Sequence, residues 1–136
     1  MITDQWGTAL AASNPASADA FNSAWDNALH FVGDPLATLE VANATDETFA
    51  LGSVFCATYR LLGGLPGNDP VVLRDIERAN ARAEVSRERG HVAALKHLAA
   101  GDFTMAGKAW DDVADDHRDF AAVRFAHDVY LSLIHI

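Results

Sequence analysis

The sequence holds little that would build a disulfide framework, a sheet or a membrane span. Cysteine occurs once in 136 residues, at Cys56. That excludes a disulfide framework and a thiolate metal site, and it fits a reducing cytoplasm. No apolar run approaches the roughly 20 residues that a membrane-spanning helix requires. Met1 to Leu10 carries Asp4 and no basic residue, so it does not read as a secretory signal. Basic residues are also scarce, ten against 19 acidic ones, for a formal charge of -9. Phosphate neutralisation needs a basic face, so nucleic acid is not expected as a partner. An anionic membrane surface is disfavoured for the same reason. The shortage is sharpest in residues 1–68, where Arg60 is the single basic group among seven acidic ones. Residues 69–136 hold twelve acidic and nine basic groups. Val, Ile and Thr are scattered, so strands lack the alternation they need.

Alanine, the best helix former, occurs 26 times. The hydrophobic fraction of 50% is too high for intrinsic disorder. One domain is expected at this length, burying about two-thirds of its unfolded surface without a staple. Composition alone points to an all-α protein.

Residues 1–16 lack periodic apolar positions and read as an extended lead-in ending at Asn14-Pro15. Ser17 or Asp19 is expected to cap a helix on Phe21, Ala24, Trp25, Ala28, Leu29 and Val32, closed by Gly33. Asp34-Pro35 is a cap followed by proline at the first helical position, opening a second helix. A third is expected from Phe49 to Leu62, before the loop-like Gly63 to Asn68. Asp69-Pro70 repeats the device and opens a fourth helix; Ser86 is expected to cap a fifth that stops at Gly101. A sixth spans Phe103 to Ala114, and the acidic turn Asp115 to Asp119 leads into a seventh. Seven helices with short connections make αα-hairpins laid end to end.

Gly33, Gly67 and Gly101 recur at steps of 34 residues. That is the tetratricopeptide period, one helix-turn-helix per repeat. Ala106, Trp110 and Val113 match the second-helix pattern, a small residue for close approach and bulky ones for the groove. Residues 17–136 are thus expected to form an α-α superhelix of about three and a half repeats.

Several segments resemble one family in particular. Asp4-Gln5-Trp6-Gly7 with Ser13-Asn14-Pro15, Ala24-Trp25-Asp26 through Gly33-Asp34-Pro35-Leu36, and Phe49-Ala50-Leu51-Gly52 are similar to the opening of the tetratricopeptide repeat protein 38 family. Arg87-Glu88-Arg89-Gly90-His91-Val92, Asp116-His117-Arg118-Asp119-Phe120 and Arg124-Phe125-Ala126-His127-Asp128 resemble its later repeats. The resemblance implies a soluble helical-repeat protein without an established enzymatic activity. At the last turn that family often has proline, where this chain has Arg118. Members are usually longer, and Ser132 to Ile136 supplies no polar last turn of the kind a terminal repeat needs. The chain is therefore expected to be an N-terminal piece of a longer array, with residues 132–136 resembling adapter read-through.

Chemistry-bearing patterns are sparse. Glu88-x-x-His91 is half of a di-iron motif, but none of the other four glutamates supplies a second pair. His91 is then expected at a helix start, partly exposed. His127-Asp128 is half a proton relay without a nucleophile spaced to use it. Cys56, between Phe55 and Ala57, reads as an inert core thiol. Asp111, Asp112, Asp115, Asp116 and Asp119 read as a solvated turn. No metal or cofactor is expected. Trp6 precedes any helix and is expected to plug one end of the first hairpin, the other reading being an exposed anchor.

The expected function is a scaffold that binds a protein or peptide in a concave groove lined by the first helix of each hairpin. The residues expected to line it are Ser23, Asn27, Tyr59, His91, Arg124 and His127. A second reading is an enzyme or small-molecule-binding protein completed by missing C-terminal repeats, with His91 and His127 facing one cavity. A third is self-association through the bare helix end from Tyr130 to Ile136.

Overall fold

Three aspartates set the frame. A computed structural model of the protein describes residues 2–134. Its elements are α1 (Pro15–His30), α2 (Pro35–Thr45), α3 (Leu51–Leu62), α4 (Pro70–Arg82), α5 (Ser86–Ala99), α6 (Phe103–His117) and α7 (Phe120–Ile134). Among the described residues there is no strand, only a lone antiparallel bridge between Thr3 and Ala9. Asp34, Asp69 and Asp102 cap α2, α4 and α6, the first two accepting two backbone N–H groups each and Asp102 one, all left unpaired by the first helical turn. Proline at the first helical position of α1, α2 and α4 forfeits only an N–H that had no helical partner. Helices α1 and α2, α3 and α4, and α5 and α6 pack as adjacent pairs, and α7 packs on α6. The three glycines of the 34-residue spacing fall in the turns within these pairs. At Gly67 a Cβ would stand 2.0 Å from the Ala99 carbonyl oxygen, so only glycine admits that backbone approach.

The chain start departs from the extended lead-in. Asp4 Oδ1 accepts the N–H groups of Trp6 and Thr8, both at 3.0 Å, and Leu10 N–H reaches back to Ile2 O at 2.9 Å. Gly7, at φ +80°, makes the reversal. The first helix then starts at Pro15 under an Asn14 cap, ahead of Ser17 and Asp19. Ser17 instead turns its hydroxyl to Asp46 Oδ2 at 2.5 Å, and Ser13 N–H binds the same oxygen at 2.8 Å. Burial alone would push the Asp46 carboxyl up. The donors from Ser17, Ser13 and Thr48 outweigh it and hold the group well below the usual carboxylate range.

Other expected boundaries shift too. Phe31, at φ +56°, takes the left-handed cap of α1 that Gly33 was expected to supply. Ser86 lies inside α5 and leaves its start without a side-chain cap. Asp115 to His117 continue α6, so the acidic turn contracts to Arg118 and Asp119, and Arg118 sits at φ +50°. Proline cannot reach that angle, so the backbone here excludes proline at position 118.

The core is aromatic. Trp25 of α1 lies 4.9 Å from Phe55 of α3 and 5.3 Å from Phe125 of α7, ring centre to ring centre. Phe125 also meets Tyr59 at 5.8 Å, His91 at 5.8 Å and Trp110 at 5.2 Å. Five helices thus meet at one ring. Trp6 stacks on Phe120 at 4.0 Å and meets Trp25 edge-on, so it bridges α7 and α1 while remaining 37% exposed. No helix among the described residues is long and apolar enough to cross a membrane.

Candidate functional site

The six residues expected to line one groove divide into three groups. Tyr59, Arg124 and His127 converge on Asp128. Tyr59, on α3, donates its hydroxyl to Asp128 Oδ2 at 2.6 Å. Arg124, one turn before Asp128 on α7, donates Nε to the same oxygen at 3.2 Å. His127 donates Nδ1 to Oδ1 at 3.0 Å. Burial, and then the Asp128 carboxylate, push the Tyr59 phenol up, so it remains a donor. Burial would lower the Arg124 guanidinium, but Asp128 beside it wins and raises it further. Tyr59 and Asp128 also line a cleft of about 570 Å³ whose remaining wall is largely apolar, with Leu61, Leu62, Phe103 and Leu131. Leu131 is 44% exposed there.

The second group is structural. Asn27 is half-buried and accepts the Thr38 hydroxyl at 3.0 Å, which ties α1 to α2. Its amide also lies under Gly33. Ser23 is exposed on α1, away from this hydrogen bonding. The third group is His91 alone, which corrects the expected partial exposure: it is 0% exposed. The reason is helical register, since His91 lies four and seven residues before the buried Leu95 and Leu98.

His91 belongs to a buried network that the sequence reading missed. Trp110 Nε1–H donates to His91 Nδ1 at 3.0 Å. An indole nitrogen only donates, so Nδ1 must accept and the proton sits on Nε2. Nε2–H then donates to Asp119 Oδ2 at 2.6 Å. Arg87 adds Nε to Oδ2 at 2.6 Å and Nη2 to Oδ1 at 3.0 Å. It also reaches Asp4 Oδ2 at 3.1 Å and Ala9 O at 2.6 Å, which clamps the chain start to α5. Burial would raise the Asp119 carboxyl, yet His91 and Arg87 hold it well below the ordinary range. Burial dominates at His91 and lowers it, so the ring stays neutral. Glu88 beside them is 2% exposed with neither carboxylate oxygen hydrogen-bonded, and burial pushes it up.

Among the described residues, no three His, Cys, Asp or Glu side chains gather as a metal set. His91 is enclosed, whereas the His127 side chain is 60% exposed, so the two imidazoles do not face one cavity. Cys56 is buried beside Asn43, and burial pushes its thiol up to about 12. It is an unreactive thiol at neutral pH. Of the helix end expected to self-associate, His135 and Ile136 lie outside the described residues; Leu131, Leu133 and Ile134 are exposed. No family model matches the chain, and no solved structure matches it.

Proposed function

We propose that the chain is a tetratricopeptide-like helical-repeat scaffold that binds a protein or peptide segment, performs no catalysis of its own and works in the cytoplasm. The observation that carries this reading is the Tyr59–Asp128 pair on the wall of the α3–α7 cleft, with Arg124 and His127 bonded to the same carboxylate outside the lining. An apolar wall of Leu61, Leu62, Phe103 and Leu131 suits an aliphatic or aromatic anchor on the bound segment. Arg124 spends Nε on Asp128 and keeps its terminal nitrogens for backbone carbonyls or a carboxylate. Asp128 has acceptor capacity beyond the three donors it holds, enough for a backbone N–H. Extended recognition by a repeat array needs this combination of anchor pocket and peptide-directed polar groups. The paired helices with turn glycines 34 residues apart support the repeat assignment. Self-association through the α7 end is the lesser reading and draws on its exposed Leu131, Leu133 and Ile134.

The test is selection of peptides on the immobilised protein, followed by affinities for Leu131→Glu, Asp128→Ala and, as a control, Met105→Glu on α6. Loss of a buried apolar anchor contact costs about 1.5–3 kcal/mol, which is roughly tenfold or more in affinity. Leu131→Glu and Asp128→Ala should each weaken binding to that extent, and Met105→Glu should leave it unchanged. Peptides that bind all four proteins equally would defeat the reading.

A further inference from the structure

We propose that the cleft between α2, α3 and α4 binds a phosphate group, held by Arg60, Arg74 and Arg78. This site lies apart from the α3–α7 cleft and stands independently of peptide binding there. The chain has ten basic residues and a net charge of -9, yet four of its arginines gather here. Arg74, Arg78 and Arg82 follow one another at four-residue steps on α4, one above the other on a single face. Like charges at that spacing cost a helix about 0.2–0.5 kcal/mol per pair. Arg60 approaches from α3.

Two of the four are accounted for by Asp75, whose side chain is 1% exposed and accepts from Arg60 and Arg74. Arg82 turns to the backbone, donating Nη1 to Asn43 O at 2.6 Å. Burial lowers its pKa, and the neighbouring Arg78 charge lowers it further. Arg78 is half-buried and hydrogen-bonds to no described residue. Arg78 lines a cleft of about 60 Å³ together with Glu40, Asn43, Cys56, Arg60 and Asp75. A water needs roughly 10–15 Å³ of such space, so the cleft has room for about four waters or one five-atom oxyanion.

Guanidiniums outnumber carboxylates in this wall, and the one unpartnered acceptor on it, Asn43 Oδ1, lies against Gly52. Asp75 is already shared between two guanidiniums, and Glu40 stands exposed at the mouth. Three arginines against these two carboxylates leave one uncompensated positive charge. This surplus favours an anionic ligand made of acceptors. Guanidinium forks from two helices suit a tetrahedral ion with several oxygens better than a carboxylate with two. The shared chemistry is a phosphate group, either the free ion or a small monoester.

The experiment titrates the full chain with inorganic phosphate at constant ionic strength, read by calorimetry, with parallel arms of glycerol phosphate and acetate. Saturable phosphate binding is expected, with acetate inert. A hydrogen bond to a charged group contributes about 1.5–3 kcal/mol, so Arg78→Ala should weaken binding at least about tenfold. Arg78→Lys keeps the charge but loses the fork, and should fall between. Arg89→Ala, an exposed control on α5, should bind as the parent does. Arg78-dependent binding of glycerol phosphate alone would support the site and assign it to an ester. No saturable response in either phosphate arm, equal binding by acetate, or an unchanged constant in Arg78→Ala would overturn the proposal.

Discussion

Replacing Asp119 by alanine removes the acceptor on which four donors converge. Arg87 gives it two bonds, His91 one, and the Ala122 N–H of the first α7 turn one at 3.3 Å. Arg87 is 5% exposed, and without Asp119 its guanidinium keeps only Asp4 and the Ala9 carbonyl. Removing one partner of a buried ion pair costs about 3–5 kcal/mol, because the survivor stays buried and under-compensated. Domains are stable by about 5–15 kcal/mol, so this is a large share of the whole. Urea unfolding at pH 7, followed by tryptophan fluorescence, should show that loss with the slope unchanged. Asp112→Ala, an exposed site on the adjoining helix, should stay within about 0.5 kcal/mol. Arg87→Met combined with Asp119→Ala should cost less than the two single changes added together, since neither charge is then stranded. A loss below about 1 kcal/mol for Asp119→Ala would refute the claim that this network holds the chain start to the helical body.

Further outcomes follow from the two left-handed residues and from acid. Phe31→Gly should raise stability by about 1 kcal/mol in the same assay, since Phe31 is 91% exposed and loses little packing while its φ of +56° costs a side chain strain. Arg118→Pro should lower it by about 3 kcal/mol or more, because proline cannot adopt φ +50°; a neutral result would place the turn elsewhere. His91 is held neutral in the fold, so below about pH 6.5 the unfolded chain alone takes up its proton and stability falls. Asp119 and Asp46, held below the usual range, add a further loss below about pH 4. Glu88 acts in the opposite sense. Its raised folded value means that acid relieves a buried charge in the window above about pH 4.5. Glu88→Gln should therefore steepen the stability loss between pH 6.5 and 4.5 in urea midpoints, and an unchanged profile would remove Glu88 from the account.

The helices were legible because their starts are written locally. Asp34-Pro35 and Asp69-Pro70 announce α2 and α4 in two residues each, and Phe21, Trp25 and Leu39 lie on stripes one turn apart. The first turn of the chain was not legible. Asp4 acts on residues two and four positions ahead of it and on Arg87, 83 positions away. Long-range charge pairs leave no periodic trace, so Asp119 reads as part of a solvated turn and nothing marks Arg87 as its partner. His91 was different. Its spacing to Leu95 and Leu98 places it on the buried stripe, but its place near a helix start led to an expectation of partial exposure. Of the expected groove, Tyr59, Arg124 and His127 did come together. Asp128, which joins them, was noticed only as the neighbour of His127. The sequence also led to an open groove, whereas Trp25, Phe55 and Phe125 fill the space between α1, α3 and α7. Periodicity identifies an inner face but not how closely inner faces approach.

A peptide segment seated in the cleft between α3 and α7, as proposed, would perturb the residues that line it. Amide chemical-shift mapping of the labelled protein, titrated with a selected peptide, tests that seating most directly. Saturable changes are expected at Tyr59, Leu62, Phe103, Asp128 and Leu131, with α2 and α4 undisturbed. Changes confined to α2 and α4, or spread evenly over the surface, would contradict it.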